Sequence, residues 1–285
     1  MAGDRRRRPA LAAGLSLPAA AAIGLGFLLP VLWLARMSFN PSDPDGALRE
    51  GWTLHHYAEL LTDSFYGELA LGSLQMSAVS TLGALLVGYP IALFLFRLES
   101  RWKTLLVLLA ICPLLVSGVV RAYGWIVILG DAGWINSMLR GAGLIDRPIR
   151  LVNNHIGVAI GLTESLLPYM TLSLLAGLGR LDRGLEEAAR TLGASPLRTF
   201  LRVTLPLSLP AVVLGCTICF MLAISAFVTP RLLGGGRVFL LATEIYEQAL
   251  LTLNWPLAAA LAVAILAMFT LVLVASGRLQ RRVAE

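Results

Sequence analysis

DRGLEEAARTLGASPLRTFLRVTLPLSLP, residues 182–210, is a polar segment that lies between two long apolar stretches. Asp182 is placed to cap a first helix, in which apolar residues recur every three or four positions. Gly193 suits the left-handed turn that ends such a helix, because glycine has no Cβ. Ser195 is placed to cap a second helix, with Pro196 at its first position. The segment therefore predicts two short helices joined at a glycine, and we call residues 182–210 the elbow.

The composition of the chain is that of a membrane protein. Of its 285 residues, 57% are hydrophobic and 14% are charged, whereas about a quarter of the residues in a soluble domain are charged. The formal net charge of +6 would suit nucleic acid, but the arginines lie between apolar stretches, as the positive-inside bias of membrane proteins requires. We therefore expect lipid around this chain and no nucleic-acid partner.

Six apolar stretches are long enough to cross a membrane, which takes about 20 residues. They cover residues 10–39, 68–96, 104–129, 156–178, 207–229 and 257–276. Pro168 lies inside the fourth stretch and is expected to break its helix. The sequence thus predicts an all-α polytopic membrane protein with six transmembrane helices in a single domain, residues 1–285, which includes the elbow.

Basic residues indicate which side of the membrane each loop faces. They are concentrated in the N-terminal cluster Arg5–Arg8, in the segment that follows the second stretch, in the elbow and in the C-terminal tail. Loops on the cytoplasmic side are enriched in Lys and Arg. We therefore expect both termini and the elbow in the cytoplasm.

The elbow resembles the signature loop of ATP-binding-cassette (ABC) importer permeases. That loop has E-A-A, three residues, G, nine residues, I, one residue and L-P. The corresponding residues here are Glu187, Ala188, Ala189, Gly193, Val203, Leu205 and Pro206. Val203 in place of isoleucine is the one departure. The segments LVSGVVRAYGW (115–125), GYP (88–90) and NWP (254–256) are similar to the spermidine/putrescine branch of these permeases.

This resemblance implies the type I importer permease fold and several partner proteins. They are a cytoplasmic ATPase dimer, a second permease chain that forms a heterodimer with this one, and an extracytoplasmic solute-binding protein. The resemblance also implies that this chain lies in the inner membrane of a bacterium. The elbow residues expected to couple to the ATPase are Glu186, Glu187, Ala188, Ala189, Arg190, Gly193, Ser195, Leu205 and Pro206. The chain contains no G-x-x-x-x-G-K-[ST] loop, so we expect ATP on the partner and no enzyme activity or cofactor here.

Two ionisable residues within predicted spans are candidates for the path of a solute, because charges in a membrane are costly unless paired or hydrated. In one interpretation, Arg121 and Glu164 form a structural ion pair between the third and fourth spans. In the other, Glu164 lines the path of a cation such as a polyamine. In the second case Tyr123, Trp125 and Tyr169 offer aromatic faces to an ammonium group. Weaker candidates are Gln75 and Glu244.

A secondary transporter or channel is the alternative function. It should show inverted repeats, or enough acids within the membrane to couple ions. The sequence has no internal repeat and a single acid well inside its spans. No metal site is expected either, because the adjacent His55 and His56 point to different sides and are taken as solvated or interfacial.

Overall fold

The computed structural model describes residues 7–42 and 49–284; Arg5 and Arg6 of the N-terminal basic cluster lie outside these ranges. The helices are α1 (Arg7–Met37), α2 (His55–Thr62), α3 (Ser64–Arg97), α4 (Lys103–Ile111), α5 (Gly118–Leu129), α6 (Trp134–Gly141), α7 (His155–Leu178), α8 (Arg183–Thr191), α9 (Pro196–Thr199), α10 (Leu205–Ile224), α11 (Val228–Leu233), α12 (Leu241–Leu250) and α13 (Trp255–Ala284). A 3₁₀ turn covers Cys112–Leu115 and a π turn covers Phe200–Thr204.

The described residues confirm an all-α polytopic membrane protein. Four helical segments are long and apolar enough to cross a membrane: Ser64–Arg97, His155–Leu178, Pro196–Ile224 and Trp255–Gln280. A fifth crossing results if the bent pair Lys103–Leu115 and Gly118–Gly141 forms one span. The apolar part of α1 within the described residues, Ala21–Met37, is shorter than these segments. The number six therefore stays a prediction.

The third predicted span, residues 104–129, is not one continuous helix. Its two parts meet at an angle of 98°. Pro113 has no N–H to continue the hydrogen bonding of the helix, and between the two parts Val116 adopts an extended backbone conformation and Ser117 has φ -54° and ψ 134°, which is not helical. The chain therefore changes direction just before α5.

The core is formed where α3, α7 and α10 pack together. Its fully buried side chains include Met170, Leu174 and Leu178 of α7 and Cys219 of α10. Small residues let the helices approach closely, as is usual in membranes; a Cβ on Gly177 would overlap Ala211. This tight packing holds α7 continuous through Pro168, so the expected break in that helix is wrong.

The bundle has two ends that differ in their loops. The elbow end holds the elbow, the end of α3 and the end of α7; the far end holds the start of α3, the start of α7 and the helices α2, α6, α11 and α12. At the far end, Ser42 Oγ donates to Asn254 Oδ1 at 2.7 Å. His56 was expected to be solvated, but it is buried, with Nε2 3.1 Å from the Asn40 carbonyl oxygen. These contacts hold the segment after α1 against the loop that precedes α13.

Candidate functional site

The first helix of the elbow, α8, is capped at both ends as the sequence predicts. The Asp182 carboxylate accepts a hydrogen bond from the Gly184 N–H at 2.9 Å. At the other end Gly193 has φ +81°. The N–H groups of Gly193 and Ala194 donate to the carbonyls of Arg190 and Ala189, at 2.9 and 3.0 Å. This pair of bonds is the Schellman arrangement, which requires a left-handed residue at the position of Gly193.

The second helix of the elbow is longer than the sequence predicts. Ser195 Oγ accepts from the Arg198 N–H at 3.4 Å, and α9, the π turn and α10 then follow without a gap as one helical segment, Pro196–Ile224. Pro206 cannot donate to the carbonyl of Arg202, and a π turn just before it accommodates the missing bond. The elbow is therefore continuous with the membrane helix that follows it.

Glu186 fixes the elbow to two membrane helices. Its Oε1 accepts from Arg97 Nη2, at the end of α3, at 2.9 Å. The same oxygen accepts from the hydroxyl of Thr204, which is buried just before α10, at 2.6 Å. One carboxylate thus joins α8, α3 and α10, so a displacement of α8 reaches both membrane helices directly.

The charge of Glu186 is maintained by these neighbours. Burial raises its pKa, but the hydrogen bonds from Thr204 and Arg97, together with the positive charges of Arg97 and Arg190, lower it more. The net result is a pKa below the ordinary value of glutamate, because the bonds favour the charged form. Glu186 is therefore an anionic anchor at neutral pH.

Much of the rest of the elbow is exposed, and part of the exposed surface is apolar. Leu192 is 89% exposed and Leu197 is 67% exposed, one on each side of the Gly193 joint. Six of the predicted coupling residues are exposed as well, whereas Ala189 and Leu205 are half-buried; the six are Glu187, Ala188, Arg190, Gly193, Ser195 and Pro206. The two adjacent glutamates thus differ, since Glu186 points to the protein and Glu187 to solvent.

The second group of predicted residues meets between α5 and α7. Arg121 Nη1 lies 3.3 and 3.5 Å from the two carboxylate oxygens of Glu164. The Trp125 indole N–H donates to Glu164 Oε2 at 3.4 Å. The Arg121 and Glu164 side chains are 19% and 22% exposed, so neither is fully removed from solvent. The carboxylate therefore has both a cationic and a neutral donor from the neighbouring helix.

The two tyrosines predicted with this group lie elsewhere on their helices. Tyr123 is two residues after Arg121, which is about 200° around α5, and it is exposed. Tyr169 is five residues after Glu164, about 140° around α7, and is also exposed. The structure thus brings Trp125 to the carboxylate and leaves both tyrosines on other faces.

The weaker candidates differ from each other in burial. Gln75 is exposed on α3. Glu244 is buried at the start of α12, where its Oε1 accepts from Gln248 Nε2 at 2.8 Å. The sequence reasoning did not single out Arg97 or Thr204, the partners of Glu186.

Comparison with known proteins gives a consistent result. Residues 84–285 match the family model described as "Binding-protein-dependent transport system inner membrane component". The spermidine/putrescine transport system permease protein PotB of Escherichia coli is 36% identical over 253 residues, which are 89% of this chain and 92% of that protein. The PotB protein of Haemophilus influenzae is 35% identical over 246 residues, 86% of each chain.

A solved structure has the same fold. In the crystal structure of a bacterial alginate ABC transporter in complex with an alginate pentasaccharide-bound periplasmic protein, one chain superposes with a TM-score of 0.78 at 18% identity. The match covers 98% of this chain and 96% of that one. The extent of the family match and the identity to both PotB proteins lead to one conclusion: the chain belongs to the family of inner membrane components of binding-protein-dependent transport systems.

Proposed function

We propose that this permease subunit of an ABC importer carries a small organic cation, a polyamine or a related compound, across the inner membrane. An extracytoplasmic binding protein delivers the solute, and a cytoplasmic ATPase dimer supplies the energy. The similarity to two spermidine/putrescine permeases supports the class of solute. Membership of the family argues against a secondary transporter or a channel, and the chain is a transport subunit and not an enzyme.

The observation that carries the proposal is the different character of the two sides of the elbow. The exposed residues of the elbow include the apolar Leu192 and Leu197 and the charged Glu187. Exposed apolar surface of this kind marks a protein contact, and we assign it to the ATPase. On the other side, Glu186 is bonded to α3 and to the residue before α10. Movement of the ATPase would therefore be transmitted to two core helices through one ionic anchor.

The orientation of the chain follows from its basic residues. The elbow carries Arg183, Arg190, Arg198 and Arg202, and the basic segment after α3 lies at the same end. Because positive charge favours the cytoplasmic side, we place the elbow and both termini in the cytoplasm. The far end then faces the binding protein. A second permease of different sequence completes the pair, as the resemblance to the family implies.

We assign the Arg121–Glu164 ion pair a structural role rather than contact with the solute. Its geometry ties α5 to α7 just beyond the bend at Val116 and Ser117, and Arg121 neutralises the carboxylate. Breaking such a partly buried pair leaves an uncompensated charge, which is costly. Glu164 lines the solute path only if a cation replaces Arg121 as its partner.

Transport by the reconstituted system tests the proposal. Vesicles containing this chain, the second permease, the ATPase and the binding protein should accumulate spermidine only when ATP is present on the ATPase side. A matched preparation without the ATPase should neither accumulate spermidine nor hydrolyse ATP. Uptake without the ATPase, or uptake restricted to neutral and anionic solutes, would overturn the proposal.

A further inference from the structure

A second set of aromatic and charged side chains lies at the far end, away from Glu164. The rings of Phe227 and Tyr246 are stacked, with centroids 5.6 Å apart and planes inclined by 15°. The guanidinium carbon of Arg231 lies 4.5 Å from the centroid of the Tyr246 ring. Arg231 Nη1 is 3.7 Å from Glu247 Oε2. A cationic group thus lies between an aromatic face and a carboxylate.

This cation is held only weakly. The Arg231 and Glu247 side chains are 38% and 41% exposed, and exposed ion pairs contribute little because water screens them. A cation over an exposed aromatic ring adds a comparably small amount. An ammonium or guanidinium group from a solute offers the same interactions to Tyr246 and Glu247. It can therefore replace the arginine at small cost.

A groove continues from the aromatic pair between α12 and α13. Its walls include Phe227, Ile245, Tyr246, Ala262 and Ile265. These side chains are mostly apolar and suit the methylene segments of an alkylamine, while the Glu247 carboxylate, which faces Arg231, suits its charged end. Apolar groove walls close to Tyr246 and Glu247 are therefore complementary to a solute in which methylene segments alternate with ammonium groups.

The helix that carries Arg231 also contacts the region of Glu164. α11 packs on α7 where Gly161 meets Thr229 and Leu233, so closely that a Cβ on Gly161 would require these side chains to move. Gly161 lies three residues before Glu164, on the same side of α7. Two sets, each with a carboxylate, an arginine and an aromatic ring, therefore adjoin α11.

Resting on the function proposed above, we propose that Phe227, Tyr246 and Glu247 form a binding subsite for an alkylammonium group of the solute. Arg231 occupies this subsite in the absence of solute and is displaced from it when solute binds. Arg231 is then an internal competitor, so its removal should favour binding. Tighter binding after removal of Arg231 distinguishes a binding site from a purely structural contact between α11 and α12, whose loss would not favour binding.

The test measures the KM for ATP-dependent spermidine uptake by the complete transporter in vesicles. Glu247→Gln should raise the KM about two- to fivefold, the range for one exposed ionic or cation–π contact. Tyr246→Leu should raise it similarly, and by more than Tyr246→Phe, which keeps the ring. Arg231→Gln should lower the KM. Glu68→Gln, which removes an exposed carboxylate at the same end of the bundle, is the matched control and should leave it unchanged.

The outcomes separate this inference from the function on which it rests. If the wild-type transporter accumulates no cation, both the solute class and the subsite are wrong. If it transports spermidine but Glu247→Gln and Tyr246→Leu behave as the wild type, the subsite alone is wrong. If Arg231→Gln and Glu247→Gln reduce uptake equally and both lower the amount of inserted protein, the Arg231–Glu247 ion pair is only structural, and the subsite is also wrong.

Discussion

Substitution of Gly193 tests whether the joint of the elbow must keep its left-handed conformation. Gly193 has φ +81°, and a Cβ built on it would meet no atom within 4 Å. Gly193→Val therefore introduces no clash, and its cost comes from the backbone alone. For an L-residue in this region the cost is about 1–2 kcal/mol, and it is larger for a β-branched residue. The population of the folded joint should fall by a factor of roughly 5–30.

Hydrogen exchange measures this loss directly. The Ala194 N–H donates to the Ala189 carbonyl across the joint, so its protection should fall by about the same factor. ATP-dependent uptake should fall with it, while the amount of inserted protein stays the same. Gly193→Asn should be milder, because asparagine tolerates the left-handed region. Gly72→Val, at a helical glycine that also has open space around it, controls for the valine itself.

One result would refute the reasoning. If Gly193→Val retains both the exchange protection of Ala194 and normal uptake, the joint does not depend on the glycine. The elbow would then not act as a rigid link between the ATPase and the membrane helices.

Three further predictions concern charged residues. Because the pKa of Glu186 is lowered, its contribution to stability is complete at neutral pH and is lost as the pH falls below the ordinary glutamate pKa and through the lowered one. The difference in melting temperature between wild type and Glu186→Gln should therefore vanish in acid. A difference that stays constant with pH would contradict the ionic role of Glu186. Glu187→Lys should lower uptake roughly tenfold or more with normal insertion, because it reverses an exposed charge on the elbow surface assigned to the ATPase, and a mismatched charge at an interface is costly. Co-purification of the ATPase in wild-type amounts would contradict this. Glu164→Gln and Arg121→Gln should each destabilise the protein by about 3 kcal/mol. The double variant should recover much of the amount of folded protein without a change in solute preference. A loss of cation selectivity in Glu164→Gln without a loss of folded protein would instead place Glu164 in the solute path.

The local structure of the elbow was predictable because short-range chemistry determines it. The caps at Asp182 and Ser195 and the turn at Gly193 each depend on residues within a few positions along the chain. The partner of Glu186 was not predictable in this way, since Arg97 lies 89 residues earlier. A single sequence places both residues at loop ends but gives no distance between them.

The bend between α4 and α5 was missed for a different reason. Hydropathy measures whether a segment is apolar, and residues 104–129 are apolar on both sides of the bend. The available signal was Pro113 followed by Ser117 and Gly118, residues that interrupt helices. The opposite error occurred at Pro168, where packing against α3 and α10 keeps the helix continuous. Proline alone therefore does not decide where a membrane helix ends.

The unbroken segment Pro196–Ile224 also restricts how the chain length can vary. Its 29 residues span about 43 Å as a helix, from the Gly193 joint to the residues just before Phe227. One inserted residue would rotate everything beyond it by about 100° and advance it by about 1.5 Å. The elbow would then be out of rotational phase with the aromatic pair at the far end, whereas deletion or insertion in the exposed loop 142–150 leaves that phase unchanged.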